Sequence, residues 1–250
     1  MYAECQFIEE PVTEFSPVSF VIPAHNEEKY ISQTLLAIQH AIEAVDIQAE
    51  IIVVNDDSTD DTATIARRLG ARTIDVALRN IGAVRNAGAE IASNPWIVFI
   101  DADTLISEDV LTQTLHSLVR GDAGGGSRVE IDEVQSLFWV KRLMYLGVVL
   151  GWQIIGGWAA GCYMYCRKDL FDSFGGFDEQ YFAAEELFFS RQLKQLGRFQ
   201  LVRGPVVTSA RKLHGYSTPQ LARFVLFPLL NLRSAFRSRS GLEILYEDTR

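Results

Sequence analysis

Three cysteines (Cys5, Cys162 and Cys166) in a chain of 250 residues are too few and too unevenly spaced for a disulfide framework or a zinc site. No basic-then-apolar leader with a small-residue cleavage site opens the sequence, so a reducing cytoplasm is the expected compartment. Basic charge is in deficit: 23 Lys and Arg stand against 32 Asp and Glu, a net charge of −9, which excludes a protein built to bind nucleic acid backbones. Internal repeats and low-complexity linkers are lacking too, so residues 1–250 are read as one domain. Uninterrupted apolar length is scarce as well. Leu143 to Cys166 carries no charge and is long enough to cross a bilayer, yet five glycines and Gln153 break it. A buried helix followed by a buried strand is the expectation there.

What the chain does have is a core. Hydrophobic residues make up 48% and charged residues 22%, a globular balance. Val18–Ile22, Glu50–Val54, Arg72–Val76 and Trp96–Ile100 read as short strands, the first, second and fourth as nearly unbroken apolar runs. Between them lie helical periods at Glu27–Val45 (Ile31, Leu35, Ile38, Ile42, Val45), Thr62–Leu69 and Ile81–Ala92. Strands alternating with helices predict an α/β fold with a mostly parallel central sheet and helices on both faces. Further along, the pattern predicts a helix at Ser107–Val119 with Ser107 as its cap and a strand at Ala123–Ile131. A helix at Val134–Ile155 and a strand at Trp158–Cys166 follow. Beyond these come a turn at Gly175–Asp178, a helix at Ala183–Leu196 and short strands at Phe199–Val202 and Val206–Thr208.

Sheets of this kind bind ligands beyond the carboxyl ends of their strands. Those ends carry Ala24-His25-Asn26-Glu27, Asn55-Asp56-Asp57-Ser58 and Asp101-Ala102-Asp103, so three polar clusters converge on one rim. In the last cluster, extended backbone would turn Asp101 and Asp103 to the same side, where they could share one hard cation such as Mg2+ or Mn2+.

Five spaced motifs, in order, carry a resemblance: Val21-Ile22-Pro23-Ala24-His25-Asn26-Glu27; Ile52 to Asp60; Arg85-Asn86-Ala87-Gly88; Phe99 to Asp103; and Gly175-Gly176-Phe177-Asp178-Glu179 with Glu185-Glu186. Together, from Val18 to Gly197, they resemble the family 2 glycosyltransferases, inverting enzymes of the GT-A fold that use nucleotide-sugar donors. The resemblance implies a nucleotide-binding half over 18–120, an acceptor and catalytic half over 121–210, and a basic amphipathic, helical tail over 211–250.

It also implies roles. Asp56 would hydrogen-bond the nucleotide base, with Pro23, Ala24 and Glu27 lining that pocket; Arg85 would lie near the diphosphate. Asp101 would approach the ribose, and Asp103 would hold the Mn2+ or Mg2+. His214 is a further metal candidate, and Arg211 and Lys212 could clamp the diphosphate. The family's base lies in a Glu-Asp pair, where this chain has Glu185-Glu186; counting back from Gly197 selects Glu186, and counting from Arg191 selects Glu185. Asp57 stands where the family usually has glycine, a turn position that Asp tolerates. Trp139, Trp152 and Trp158 lie where an acceptor would enter.

Leu187 to Leu242 contains no acidic residue and ten basic ones, with Phe224, Leu226, Phe227, Leu229 and Leu230 among the arginines. That composition fits either a peripheral contact with an anionic inner membrane face and a lipid-linked acceptor, or a tail packed on the acidic body. The expected activity is transfer of a sugar from a nucleoside-diphosphate sugar to an acceptor hydroxyl or lipid phosphate. A sugar nucleotidyltransferase would instead show a Gly-rich, basic loop after the first strand. A non-catalytic nucleotide-binding protein of the same fold would have lost its base.

Overall fold

The computed structural model describes residues 15–132, 147, 151, 153, 156–181 and 185–211. The first half alternates as the apolar runs require: β1 (Val18–Ala24), α1 (Ile31–Val45), β2 (Ala49–Asp56), α2 (Thr62–Arg68), β3 (Arg72–Val76), α3 (Ile81–Ile91) and β4 (Trp96–Ile100). The second half adds β5 (Thr104–Leu105), α4 (Glu108–Val119), β6 (Gly124–Ile131), β7 (Tyr163–Arg167), α5 (Lys168–Ser173), α6 (Glu185–Leu196) and β8 (Phe199–Thr208). Among the described residues, eight strands form one sheet in the order β3-β2-β1-β4-β7-β6-β8-β5.

Strands β3, β2, β1 and β4 run parallel, which buries both faces and explains why every residue of β1 and β4 is inside. The sheet is then mixed: β7 is antiparallel to β4 and β6, β8 is parallel to β6, and β5 is antiparallel to β8. One core layer packs Ile31, Leu35 and Ile38 of α1 and Val110, Leu111 and Leu115 of α4 on Phe20, Ile22 and Val98. On the opposite face Val84 and Ala89 of α3, Phe171 of α5, and Phe189 and Leu193 of α6 cover Val21, Ile52, Val54 and Phe99. Gly88 lets α3 sit this close; a Cβ there would meet Val21 Cγ1 at 2.4 Å and Val54 Cγ2 at 2.9 Å.

Several boundaries differ from those expected. Helix α1 begins at Ile31 rather than Glu27, because the Glu27 carbonyl accepts both the Tyr30 and Ile31 amides at 2.9 Å and closes a separate turn first. The strand expected at Trp158–Cys166 is Tyr163–Arg167, with only a bridge between Ala160 and Tyr163 before it. The two short strands near the end are one, β8, whose register against β6 shifts between Ser127 and Arg128 and so carries it past Gly204-Pro205. Helix α5, six residues with Phe171 as its buried side chain, is too short to leave a period. Ser107 caps α4 as expected, accepting the Val110 amide. Most of the helix expected at Val134–Ile155, with Trp139 and Trp152, lies outside the described residues, as do Lys212, His214 and the tail beyond Arg211. Within that stretch Gln153 is buried and donates to the Ser127 carbonyl at 2.8 Å.

Candidate active site

The three polar strand ends meet, and the loops that carry them are laced together. Asn26, at φ +56°, donates its amide to Ser58 Oγ at 2.9 Å and accepts the Thr59 amide on Oδ1 at 2.7 Å. The Glu27 amide donates to Thr62 Oγ1 at 2.7 Å, and the Glu28 amide to Asp60 at 3.2 Å. The spacing of polar residues in both motifs is therefore a hydrogen-bonding requirement of the paired loops. Asp57 sits at φ +56°, which accounts for an Asp where glycine is usual, and its carboxylate pairs with Arg79 at 2.6 Å.

At the outer end of the rim, Asp56 accepts the Leu78 amide on Oδ1 at 2.7 Å and the Arg79 amide on Oδ2 at 3.0 Å. The carboxylate expected at a nucleotide base thus also holds the loop before α3. Pro23 and Ala24 are buried at the end of β1, Ala24 within the core; of the trio expected to line this pocket, the charged group is Glu27. That carboxylate is gripped in bidentate fashion by Arg211, whose Nη1 lies 2.7 Å from Oε2.

The centre of the site is organised by Arg85. Its side chain is 1% exposed, and it donates to Glu185 Oε1 at 2.6 Å, Asp101 Oδ1 at 3.0 Å and the Gly161 carbonyl at 2.9 Å. Among the described residues its Nε finds no hydrogen-bond partner. The guanidinium carbon stands 5.6 Å from the centre of the Phe177 ring. Burial works against the charge, but Asp101 and Glu185 outweigh it and hold Arg85 more firmly protonated than usual. Arg85 therefore bridges the acids behind the site.

Its neighbour Asn86 fixes the Gly-Gly-Phe-Asp turn. The Asn86 side chain donates to the Phe177 carbonyl and accepts the Phe177 amide, both at 2.9 Å. A Cβ at Gly176, where φ is +76°, would lie 2.6 Å from Asn86 Oδ1. The turn in turn leads to the first turn of α6.

There the two candidate bases part. Glu185 is buried and bound to Arg85; Glu186 is half-buried, and a Cβ on Gly161 would stand 3.4 Å from Arg85 Nη2 and 3.9 Å from Glu186 Cδ. Burial, then the charge of Glu185, pushes the Glu186 carboxyl up to about 8.

The carboxylates of Asp101 and Asp103 each meet an arginine. The backbone turns at Asp101, whose carbonyl accepts the Thr104 amide at 3.1 Å, so strand alternation does not apply. Asp101 pairs with Arg85 and Asp103 Oδ2 with Arg211 at 3.0 Å. Among the described residues no three His, Cys, Asp or Glu side chains gather as a complete cation site. The all-oxygen set of Asp101 and Asp103 nevertheless suits Mg2+ or Mn2+, which are held by one or two carboxylates when phosphates and waters supply the rest. Away from this rim, a cavity of about 500 Å3 opens between Phe174, Tyr181, Phe188 and Gln192, and none of the strand-end acids lines it.

A sequence model described as "Glycosyl transferase family 2" matches residues 19–175, more than half of the chain. The chain belongs to that family. An uncharacterized glycosyltransferase of Mycobacterium tuberculosis is 32% identical over 138 residues, covering 55% of this chain and 59% of that protein. The 4,4'-diaponeurosporenoate glycosyltransferase of Staphylococcus aureus is 33% identical over 115 residues, 43% of this chain and 30% of that one. The matched stretch is thus under two thirds of either relative.

Among solved structures, the mannosyltransferase PcManGT of Pyrobaculum calidifontis, in complex with GDP-Man and Mn2+, superposes with a TM-score of 0.64 at 18% identity. The match covers 94% of this chain and 69% of that one. Glucosyl-3-phosphoglycerate synthase of M. tuberculosis, with Mn2+ and UDP-glucose, gives 0.58 at 20% identity over 88% and 79%. The sheet with its helices is the GT-A architecture expected from the motifs. Of the residues expected at this site, Arg85 is a buried tie between acids, and Glu185 is its partner. Sequence reasoning missed Asn86 as the anchor of the Phe177 turn, although the spacing of Arg85-Asn86 and Gly-Gly-Phe-Asp contained it. Among the described residues no helix is long and apolar enough to cross a membrane.

Proposed function

We propose that the protein is an inverting glycosyltransferase that moves a sugar from a nucleoside-diphosphate sugar to an acceptor hydroxyl or phosphate, with Glu186 as its base. The observation that carries this reading is the division of labour between the adjacent glutamates: Arg85 takes Glu185, while Glu186 is half-buried and near enough to Asp101 to feel its charge. Ionised Glu186 takes the acceptor proton. The acceptor oxygen then bonds the anomeric carbon from the side opposite the diphosphate, and the departing C–O electron pair leaves with the diphosphate. Asp103, with Asp101 beside it, would hold a divalent cation that neutralises charge on the leaving diphosphate. Asp56 and its loop would meet the base, and Arg85 keeps Asp101 and α6 in register.

The mannosyltransferase and synthase complexes, with GDP-Man and UDP-glucose, support a nucleotide-sugar donor and a divalent cation. The name of the staphylococcal relative and the acid-free sequence from Leu187 to Leu242 favour an apolar, lipid-linked acceptor at an anionic membrane surface. Release of nucleoside diphosphate from UDP-, GDP-, dTDP- and CDP-sugars in the presence of Mn2+ tests the activity. One donor should be hydrolysed slowly, and Asp103→Ala should abolish it; no turnover of any donor would refute the reading. Sedimentation with liposomes, with and without anionic lipid, tests the acceptor surface, and binding that does not respond to salt or to lipid charge would remove it.

A further inference from the structure

Arg211 follows β8 in the chain and lies 184 residues from Glu27, yet the two are locked together. Its two terminal nitrogens each reach one oxygen of Glu27, and Nη2 also lies 3.0 Å from Asp103 Oδ2. Its guanidinium carbon stands 4.6 Å above the Tyr30 ring centre. The arginine side chain is 22% exposed, Glu27 13% and Asp103 10%. One positive group is thus wedged between carboxylates from two loops that meet only at the rim. In so dry a place, two like charges cannot approach without a cation between them. Arg211 supplies that cation from within the chain, on the carboxylate that the proposed function assigns to a metal.

We infer that Arg211 is the resident counter-ion of the donor site. It occupies Asp103 while the site is empty, and a bare divalent cation binds poorly because it must expel the guanidinium. A cation that arrives with a nucleoside diphosphate binds well, because the phosphates offer the expelled guanidinium a new bidentate partner. Nucleotide and cation therefore bind as a unit, and Arg211 together with Tyr30 sets how strongly each helps the other. This rests on the reading of the rim as a donor site.

The test is binding of Mn2+, followed by electron paramagnetic resonance, to the full chain alone and with UDP, GDP, dTDP or CDP. Two variants are compared with the wild type. Arg211→Gln removes the counter-ion. Tyr30→Leu leaves every charge in place and removes only the ring that holds the guanidinium. Without nucleotide, Arg211→Gln should tighten Mn2+ about tenfold or more, and Tyr30→Leu about two- to tenfold, the range expected for loss of a cation–π contact. In both, the factor by which nucleotide enhances Mn2+ binding should shrink. Should Arg211→Gln fold poorly, Tyr30→Leu alone decides. Unchanged or weaker Mn2+ binding in the folded variants, with the wild type still binding Mn2+ and nucleotide together, overturns the inference and leaves the proposed function standing. If the wild type binds no Mn2+ with UDP, GDP, dTDP or CDP, both fall.

Discussion

Glu185 Oε1 lies 2.6 Å from Arg85 Nη1, across 100 residues of sequence, and that contact decides what its neighbour can do. Adjacent residues on a helix point about 100° apart. While Arg85 holds Glu185 beside Asp101, Glu186 is left half-buried, with its carboxyl carbon 3.9 Å from where a Cβ on Gly161 would stand. A pair of acids that looks redundant in sequence is asymmetric in space.

The first consequence is a pH profile. A base must be ionised, and Glu186 is held neutral up to about 8 by burial and by Glu185. Turnover per unit of free enzyme should rise about tenfold per pH unit below that point and level off above it. Measuring kcat/KM for donor turnover from pH 6 to 9.5 checks this. Glu186→Gln should remove the limb and most of the rate. A flat profile in the wild type would exclude Glu186.

Stability should respond to the same group with opposite sign. The folded carboxyl titrates near 8 and the unfolded one near its ordinary 4.5, so the native state holds a proton that the unfolded chain has released between those values. The native state loses stability as pH rises through that window, and the loss is complete above about 8. Glu186→Gln should therefore be about 1–3 kcal/mol more stable than wild type at pH 8.5 and equal to it at pH 4. Urea denaturation at the two pH values gives the comparison.

Glu185→Gln should do the reverse. It strips one carboxylate from a guanidinium that is 1% exposed, with Asp101 left as the other. A loss of about 2–4 kcal/mol is expected near neutral pH, short of the full cost of orphaning a buried charge. Chemical denaturation separates this variant from Glu186→Gln without any activity assay.

Asn86→Ala should loosen the site without removing a charge, although the Glu179 carboxylate loses a donor. Both backbone groups of Phe177 would lose their partner, at a cost of about 1–3 kcal/mol. Hydrogen exchange at the Phe177 amide should accelerate, and transfer should slow as α6 loses its anchored approach. Unchanged exchange there would mean that the aromatic packing of Phe177 on Phe99 and Phe189 holds the turn unaided.

Gly88→Ala should destabilise by about 1–3 kcal/mol, because the added methyl overlaps Val21 and Val54 where α3 meets the sheet. A thermal melt suffices, and an unshifted midpoint would show that α3 can move away.

The strands that position the site were readable because parallel strands buried on both faces leave unbroken apolar runs, as at Val18–Ile22 and Trp96–Ile100. The convergence of the three polar ends followed from topology. The roles within the cluster did not. Alternation placed Asp101 and Asp103 together, but that argument needs extended backbone, and the chain turns at Asp101. Arg85 with Glu185 and Arg211 with Glu27 are contacts across 100 and 184 residues, set by how helices and loops pack and by no local spacing. The single strand β8 hid behind Gly204-Pro205, residues that ordinarily end a strand and here sit beside a register shift.

The stitching of Asn26, Glu27 and Glu28 to Ser58, Thr59, Asp60 and Thr62 has an implication for engineering. The segments after β1 and β2 form one hydrogen-bonded module. Grafting either alone from a related protein would strand amides and hydroxyls of the other, so the two segments have to be transplanted at once.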